Sequence, residues 1–121
     1  MKFVVLIYSN PASREIWEGF SDAQRSEGLD YYAGLREDLA ASGELIASAA
    51  LADPSSGKRV AVSEGRTTAT DGPFAEVKEH LAGFFLLDCD NVEQAVESAA
   101  RMPEAALGLV EVRPVRELSD F

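Results

Sequence analysis

β-prone and helical segments in the order strand, helix, strand, hairpin, strand, helix, strand predict an α+β fold. The arrangement is a ferredoxin-like sandwich, β-α-β, hairpin, β-α-β, with both helices on one face of the sheet. Three observations carry it. Phe3 to Tyr8 and Leu81 to Asp88 are apolar at both parities, as strands buried on two faces are. Two other segments repeat apolar residues at helical spacing behind capping residues. At 121 residues, 46% hydrophobic and 26% charged, the chain suits one ordered domain, 1–121, with its own core.

The first strand, Phe3 to Tyr8, is broken by Ser9-Asn10-Pro11, and a polar connection holding Trp17 and Phe20 is expected to follow. Ser21 and Gln24 then stand at capping-box spacing and open a helix. Leu29, Tyr32, Leu35 and Leu39 form its apolar stripe, and Gly43 suits a left-handed C-terminal cap. Glu44 to Leu51 predicts a second strand, and Asp53-Pro54-Ser55-Ser56-Gly57 a loop. Lys58 to Ser63 and Arg66 to Thr70 predict a hairpin turning at Glu64-Gly65. Leu81 to Asp88 is the next strand. Asp90 or Asn91 caps a helix with Val92, Ala95, Val96, Ala99 and Met102 on its buried face, and Pro103 stops it. Leu109 to Val115 closes the sheet.

Helices on one face leave the other side of two-sidedly apolar strands as an oily surface, for which a second subunit is the natural cover. In the last strand, parity places Val110 and Val112 under the helices and Leu109, Glu111, Arg113 and Val115 on the far face. Glu111 and Arg113 would then lie at a subunit interface, at a ligand pocket beside it, or in a salt-bridged surface strand.

Eleven basic against twenty-one acidic residues give a net charge of −10, which repels nucleic-acid backbones and anionic headgroups. Lys58, Arg59 and Arg66 cluster, but Glu64 lies among them and no aromatic residue interleaves, so they read as a solvated hairpin. The single cysteine, Cys89, excludes an internal disulfide and suits a reducing compartment. The N-terminal apolar run is too short for a signal peptide or a membrane span, so a cytoplasmic location is expected. No phosphate loop, dinucleotide fingerprint or nucleophile elbow is present, and one His with one Cys makes a poor metal set; no cofactor is expected.

The densest chemistry lies in Thr70 to His80. Asp71-Gly72-Pro73 is turn chemistry: Asp71 can bond its own backbone, Gly72 can take positive φ, and Pro73 fixes φ without donating. Phe74 would anchor in apolar surroundings. If 76 to 80 run extended, Glu76, Lys78 and His80 share one side and could reach one ligand. Asp71 and His80 are then candidates for proton transfer, with Lys78 offering positive charge to a developing oxyanion. The competing reading is structural, since every residue type in that turn is one a tight turn selects. Tyr8, ending the first strand, could donate to a ligand oxygen at a cleft or simply reach water. Trp17, Tyr31 and Tyr32 read as packing residues around the first helix.

The opening Lys2-Phe3-Val4-Val5-Leu6-Ile7-Tyr8, the run Thr70 to Glu79, the strand Gly83 to Asp88 and the closing Val110 to Val115 together resemble the DGPF branch of the YCII-related family. The resemblance implies a dimeric α+β barrel related to muconolactone isomerases, two sheets packed face to face. It implies a homodimer holding a small organic molecule, with proton-transfer chemistry of isomerase or lyase type, or else a non-catalytic metabolite sensor or accessory protein. Some members are linked with sigma-factor regulation. Lyases of the family use a histidine and an aspartate near the first helix. This chain has Asp22, Asp30 and Asp38 but no histidine between Tyr8 and Gly43, so that pair does not carry over.

Overall fold

The computed structural model describes residues 1–73 and 77–121. In chain order these form β1 (Lys2–Ser9), α1 (Pro11–Glu18), α2 (Asp22–Ala41), β2 (Leu45–Ala50), β3 (Lys58–Ser63), β4 (Arg66–Asp71), β5 (His80–Asp88), α3 (Val92–Ala99) and β6 (Val110–Pro114). Short 3₁₀ turns lie at Pro54–Ser56, Pro103–Leu107 and Leu118–Asp120. The sheet order is β2-β5-β1-β6 with every neighbouring pair antiparallel, the ferredoxin-like arrangement. β3 and β4, which follow β2 and precede β5 in the chain, form a separate two-stranded sheet.

β1 and β5 hold the centre. Phe3, Val5 and Ile7 lie opposite Leu87, Phe85 and Gly83, and this face is buried beneath the helices with Leu35, Leu39, Ala95, Ala99 and Met102. Val110 and Val112 pack against the same core, as the parity of β6 predicts. The other parity, Val4 and Leu6 opposite Leu86 and Phe84, makes a half-buried strip on the face turned away from that core. On β6 the same face carries Arg113 beside Val4 and Glu111 beside Leu6.

Local signals set the ends of the elements. Ser21 accepts from the Gln24 N–H at 3.1 Å while Gln24 accepts from the Ser21 N–H at 2.8 Å, a closed capping box opening α2. Gly43 takes φ +81° just past its end, and the Glu44 N–H reaches back to the Leu39 carbonyl at 3.0 Å. Glu64 and Gly65 both take positive φ, the backbone that a tight hairpin turn demands.

Several expectations need correction: Leu109, placed by parity on the far face, is buried just ahead of β6, and Gly72 does not take positive φ. The segment after β1 is a helix, not a polar connection. Asn10 is extended and accepts from the Ser13 N–H at 2.8 Å, Ser13 Oγ accepts from the Asn10 N–H at 2.9 Å, and Pro11 fills the first helical position. The Asn-Pro pair that breaks a strand also starts a helix, because proline's missing N–H is one the first turn leaves unpaired anyway. On α3, Val92 and Val96 are exposed while Ala95, Ser98 and Ala99 are buried. Small residues let α3 sit close to the sheet, and the Ser98 hydroxyl donates to Glu44 Oε2 at 2.6 Å, satisfying a carboxylate at the edge of the core. Cys89, buried beside it, directs its thiol toward the same oxygen at 3.9 Å.

Gly83 tests the tightness of this packing. A Cβ there would lie 2.8 Å from the Ala49 carbonyl oxygen of the neighbouring strand, too close without backbone movement. Gly83→Ala is expected to lower stability by about 1–3 kcal/mol in urea denaturation. An unchanged midpoint would mean that β2 yields freely.

Candidate functional site

A hollow opens on the helical side of the sheet, between α2 and the strands β2 and β5, with a volume of about 510 Å³. Its existence follows from side-chain size. Gly83 and Ala50 face each other across β5 and β2 and put almost nothing above the sheet, while Phe85 rises one step further along. α2 closes the hollow with Leu29, Tyr32, Ala33 and Arg36, residues spaced to share one helical face. Glu104, from the turn after α3, completes the wall.

The polar groups are fixed by contacts. Tyr32 is half-buried, its ring lies 6.3 Å from that of Phe85 at 26°, and its hydroxyl donates to Glu104 Oε2. Burial, then the neighbouring carboxylate, push the Tyr32 phenol far above its ordinary value of 10.0. One turn on, Arg36 Nε donates to Ser48 Oγ of β2 at 2.9 Å. α2 is anchored on its outer side as well: Tyr31 donates to the Arg101 carbonyl, and Arg101 pairs with Asp38 at 2.6 Å. A phenol, a carboxylate, a guanidinium and a hydroxyl thus converge on an apolar hollow, the make-up of a small-molecule site.

The residues singled out in the sequence fall into separate places. Asp71 ends β4 and is exposed, its carboxylate held by Lys58 across the hairpin. Gly72 donates its N–H to the Gly57 carbonyl at 2.9 Å, and a Cβ there would lie 2.4 Å from the Pro54 carbonyl oxygen, so only glycine fits against that turn. Pro73 follows, exposed. Phe74 and Glu76 lie outside the described residues, and Lys78 is exposed. His80 opens β5 opposite Ser9 and lines a groove of about 340 Å³ with Asp53, Lys58 and Leu51. No hydrogen bond or ion pair joins Asp71 to His80 among the described residues, although Lys58 borders both.

Tyr8 and Arg113 meet on the far face. The Tyr8 hydroxyl donates to Glu111 Oε1 at 2.9 Å, and Arg113 donates twice to Glu111 Oε2, at 2.8 and 3.1 Å. Hydrogen bonds from Arg113 and then Tyr8 hold the Glu111 carboxyl below its usual range. Its hydrogen bond to Glu111, before burial, raises the Tyr8 phenol. No group of three or more potential metal-ligating residues is found among the described residues.

Arg36, Ser48 and Glu104 are not among the residues the sequence singles out, and Tyr32 is read there as a packing residue. Tyr32 sits on the apolar stripe of α2, where packing explains an aromatic residue fully. The available signal was Arg36, four residues on, which puts a cation on the same helical face. Because folded Tyr32 keeps its proton where an unfolded tyrosine loses it, its stabilisation is complete below about pH 10 and is lost as pH rises further. Tyr32→Phe is expected to flatten the fall in thermal midpoint above about pH 10. Parallel wild-type and variant curves would contradict the buried pairing.

Three comparisons bear on identity. Over 117 residues the chain is 31% identical to an uncharacterised protein of Rhizobium meliloti (strain 1021), covering 95% of this chain and 92% of that one. Its fold is similar to that of 5-chloro-2-hydroxyhydroquinone dehydrochlorinase (TftG) from Burkholderia phenoliruptrix AC1100, solved with 2,5-dihydroxybenzoquinone. That likeness has a TM-score of 0.51 at 12% identity over 99% of this chain and 98% of the other. The YCII-related domain matches residues 1–119, and the chain belongs to that family.

Proposed function

We propose that the protein is a cytoplasmic homodimer of the DGPF branch that binds a small organic molecule in the hollow beneath α2 and moves a proton on it, as an isomerase or lyase does. The observation that carries the reading is the Tyr32–Glu104 pair aimed into a largely apolar hollow of about 510 Å³. A ligand that displaces the Tyr32 hydroxyl leaves Glu104 free to accept a proton from it. Tyr32, its phenol kept protonated, then donates to the oxygen on which negative charge develops. The proton returns from Glu104 to another atom of the same molecule in an isomerisation, or to the departing group in an elimination. The ligand named for the dehydrochlorinase, a small flat ring, is of a size that such a hollow accepts, an analogy at the level of fold.

The homodimer rests on the half-buried strip of Val4, Leu6, Phe84 and Leu86, with Tyr8, Glu111 and Arg113 at its margin. Two sheets meeting face to face would remove this strip from water. Light scattering is expected to give twice the 13.0 kDa chain mass, and Phe84→Asp a folded monomer. A wild-type monomer would overturn this element.

A second placement of the chemistry is favoured by the groove under the hairpin, where His80 faces Asp53 and Lys58. There His80 and Asp71 would share acid and base roles, with Lys78 supplying positive charge. The two placements separate by mutation. Ligands that raise the melting temperature in a screen of small cyclic metabolites are incubated with the protein, and products are followed by NMR. Glu104→Gln is expected to keep binding and lose turnover by about 10²-fold or more, with His80→Ala close to wild type. The reverse result would move the chemistry to the hairpin groove. Binding without turnover by wild type would instead favour a metabolite sensor, the reading in keeping with sigma-factor regulation.

A further inference from the structure

The hollow beneath α2 has two polar ends. Tyr32 leans toward Glu104 in the turn after α3, whereas Arg36 leans the opposite way, toward Ser48 on the edge strand β2. Between them the lining is apolar: Leu29 and Ala33 from the helix, Phe85 and the bare backbone of Gly83 from the sheet. The stacked rings of Tyr32 and Phe85 offer a flat wall.

Among the described residues lining the hollow Arg36 alone is cationic, and no carboxylate pairs with it among the described residues. Its hydrogen bond from Nε goes to a neutral hydroxyl, which leaves the two terminal nitrogens for a ligand. A guanidinium fork matches a carboxylate in shape and charge, and Ser48 lies ready as a further donor. The setting makes this cation matter, because a chain of net charge −10 repels anions everywhere that a local positive charge does not intervene. Glu104 makes the opposite end unwelcoming to an anion and receptive to a hydroxyl.

Resting on the reading of this hollow as the ligand site, we propose that Arg36 and Ser48 form an anion subsite. The ligand class is then a small flat ring bearing a carboxylate at one end and a hydroxyl at the other. Arg36 orients the molecule, and the Tyr32–Glu104 pair meets the hydroxyl end.

The test uses 3- and 4-hydroxybenzoate and the corresponding amides, which keep the ring and hydroxyl and remove the charge. Binding to the full chain is followed by amide chemical shifts at Ala33, Ser48 and Gly83. Wild type is expected to bind at least one acid tenfold or more tightly than its amide, Arg36→Gln to lose that preference, and Arg36→Lys to keep part of it. Arg36 is exposed on a helix and glutamine is a comparable helix former, so the variant folds. If acid and amide bind the hollow equally well, or Arg36→Gln keeps the preference, the anion subsite is wrong while the hollow remains the ligand site. If none of the four probes shifts these three amides, the anion subsite falls, and the reading of the hollow is left to the metabolite screen.

Discussion

Pairing of β1 with β5 is the constraint from which both sides of the molecule follow. With Val5 opposite Phe85 and Ile7 opposite Gly83, one face receives the large core residues and the other receives Val4, Leu6, Phe84 and Leu86. A slip of one residue would exchange the two faces. The register also decides where the helical side is empty. Phe85 falls beneath Tyr32, and the next residue on that face is Gly83, so the core stops abruptly and a hollow begins. An irregularity between Ile7 and Tyr8 marks the same region of the pairing, where the regular ladder gives way to the loops around His80.

Polar chemistry is sorted by face. Tyr32, Arg36, Ser48 and Glu104 gather on the helical side, Tyr8, Glu111 and Arg113 on the far side, and Asp71, Lys58 and His80 around the hairpin. Each group holds one carboxylate with donors of its own kind. Glu111 has a guanidinium and a phenol, Asp71 a lysine, and Glu104 a phenol. That difference sets the hollow beneath α2 apart. Its acid is held by a neutral partner, whereas the other two are paired with cations.

Much of the fold was legible because it depends on period and punctuation. The two-sided apolar runs mark the central strands, Ser21 with Gln24 and Gly43 bracket α2, and Glu64-Gly65 turns the hairpin. What escaped depends on tertiary context. Asn10-Pro11 serves equally as a strand breaker and a helix start, and α1 became visible only once Ser13 closed its capping box. The rotation of α3 turned on a preference for small residues near the sheet over the larger valines, which helical periodicity does not disclose. The sequence-level site centred on residues close together in the chain, Asp71 to His80, whereas the hollow collects Tyr32, Ser48 and Glu104 from distant segments. Only the sheet order brings these together.

The arrangement at the end of β5 has a consequence for the chemistry of the lone thiol. Cys89 lies 3% exposed at the seam between α3 and the sheet, and burial followed by the adjacent Glu44 charge raises its pKa, so the nucleophilic thiolate is scarce in the native state. Alkylating reagents should therefore find it chiefly in molecules whose α3 has swung away. The rate of labelling then becomes a built-in clock for how often that seam opens, obtained without adding any probe to the protein.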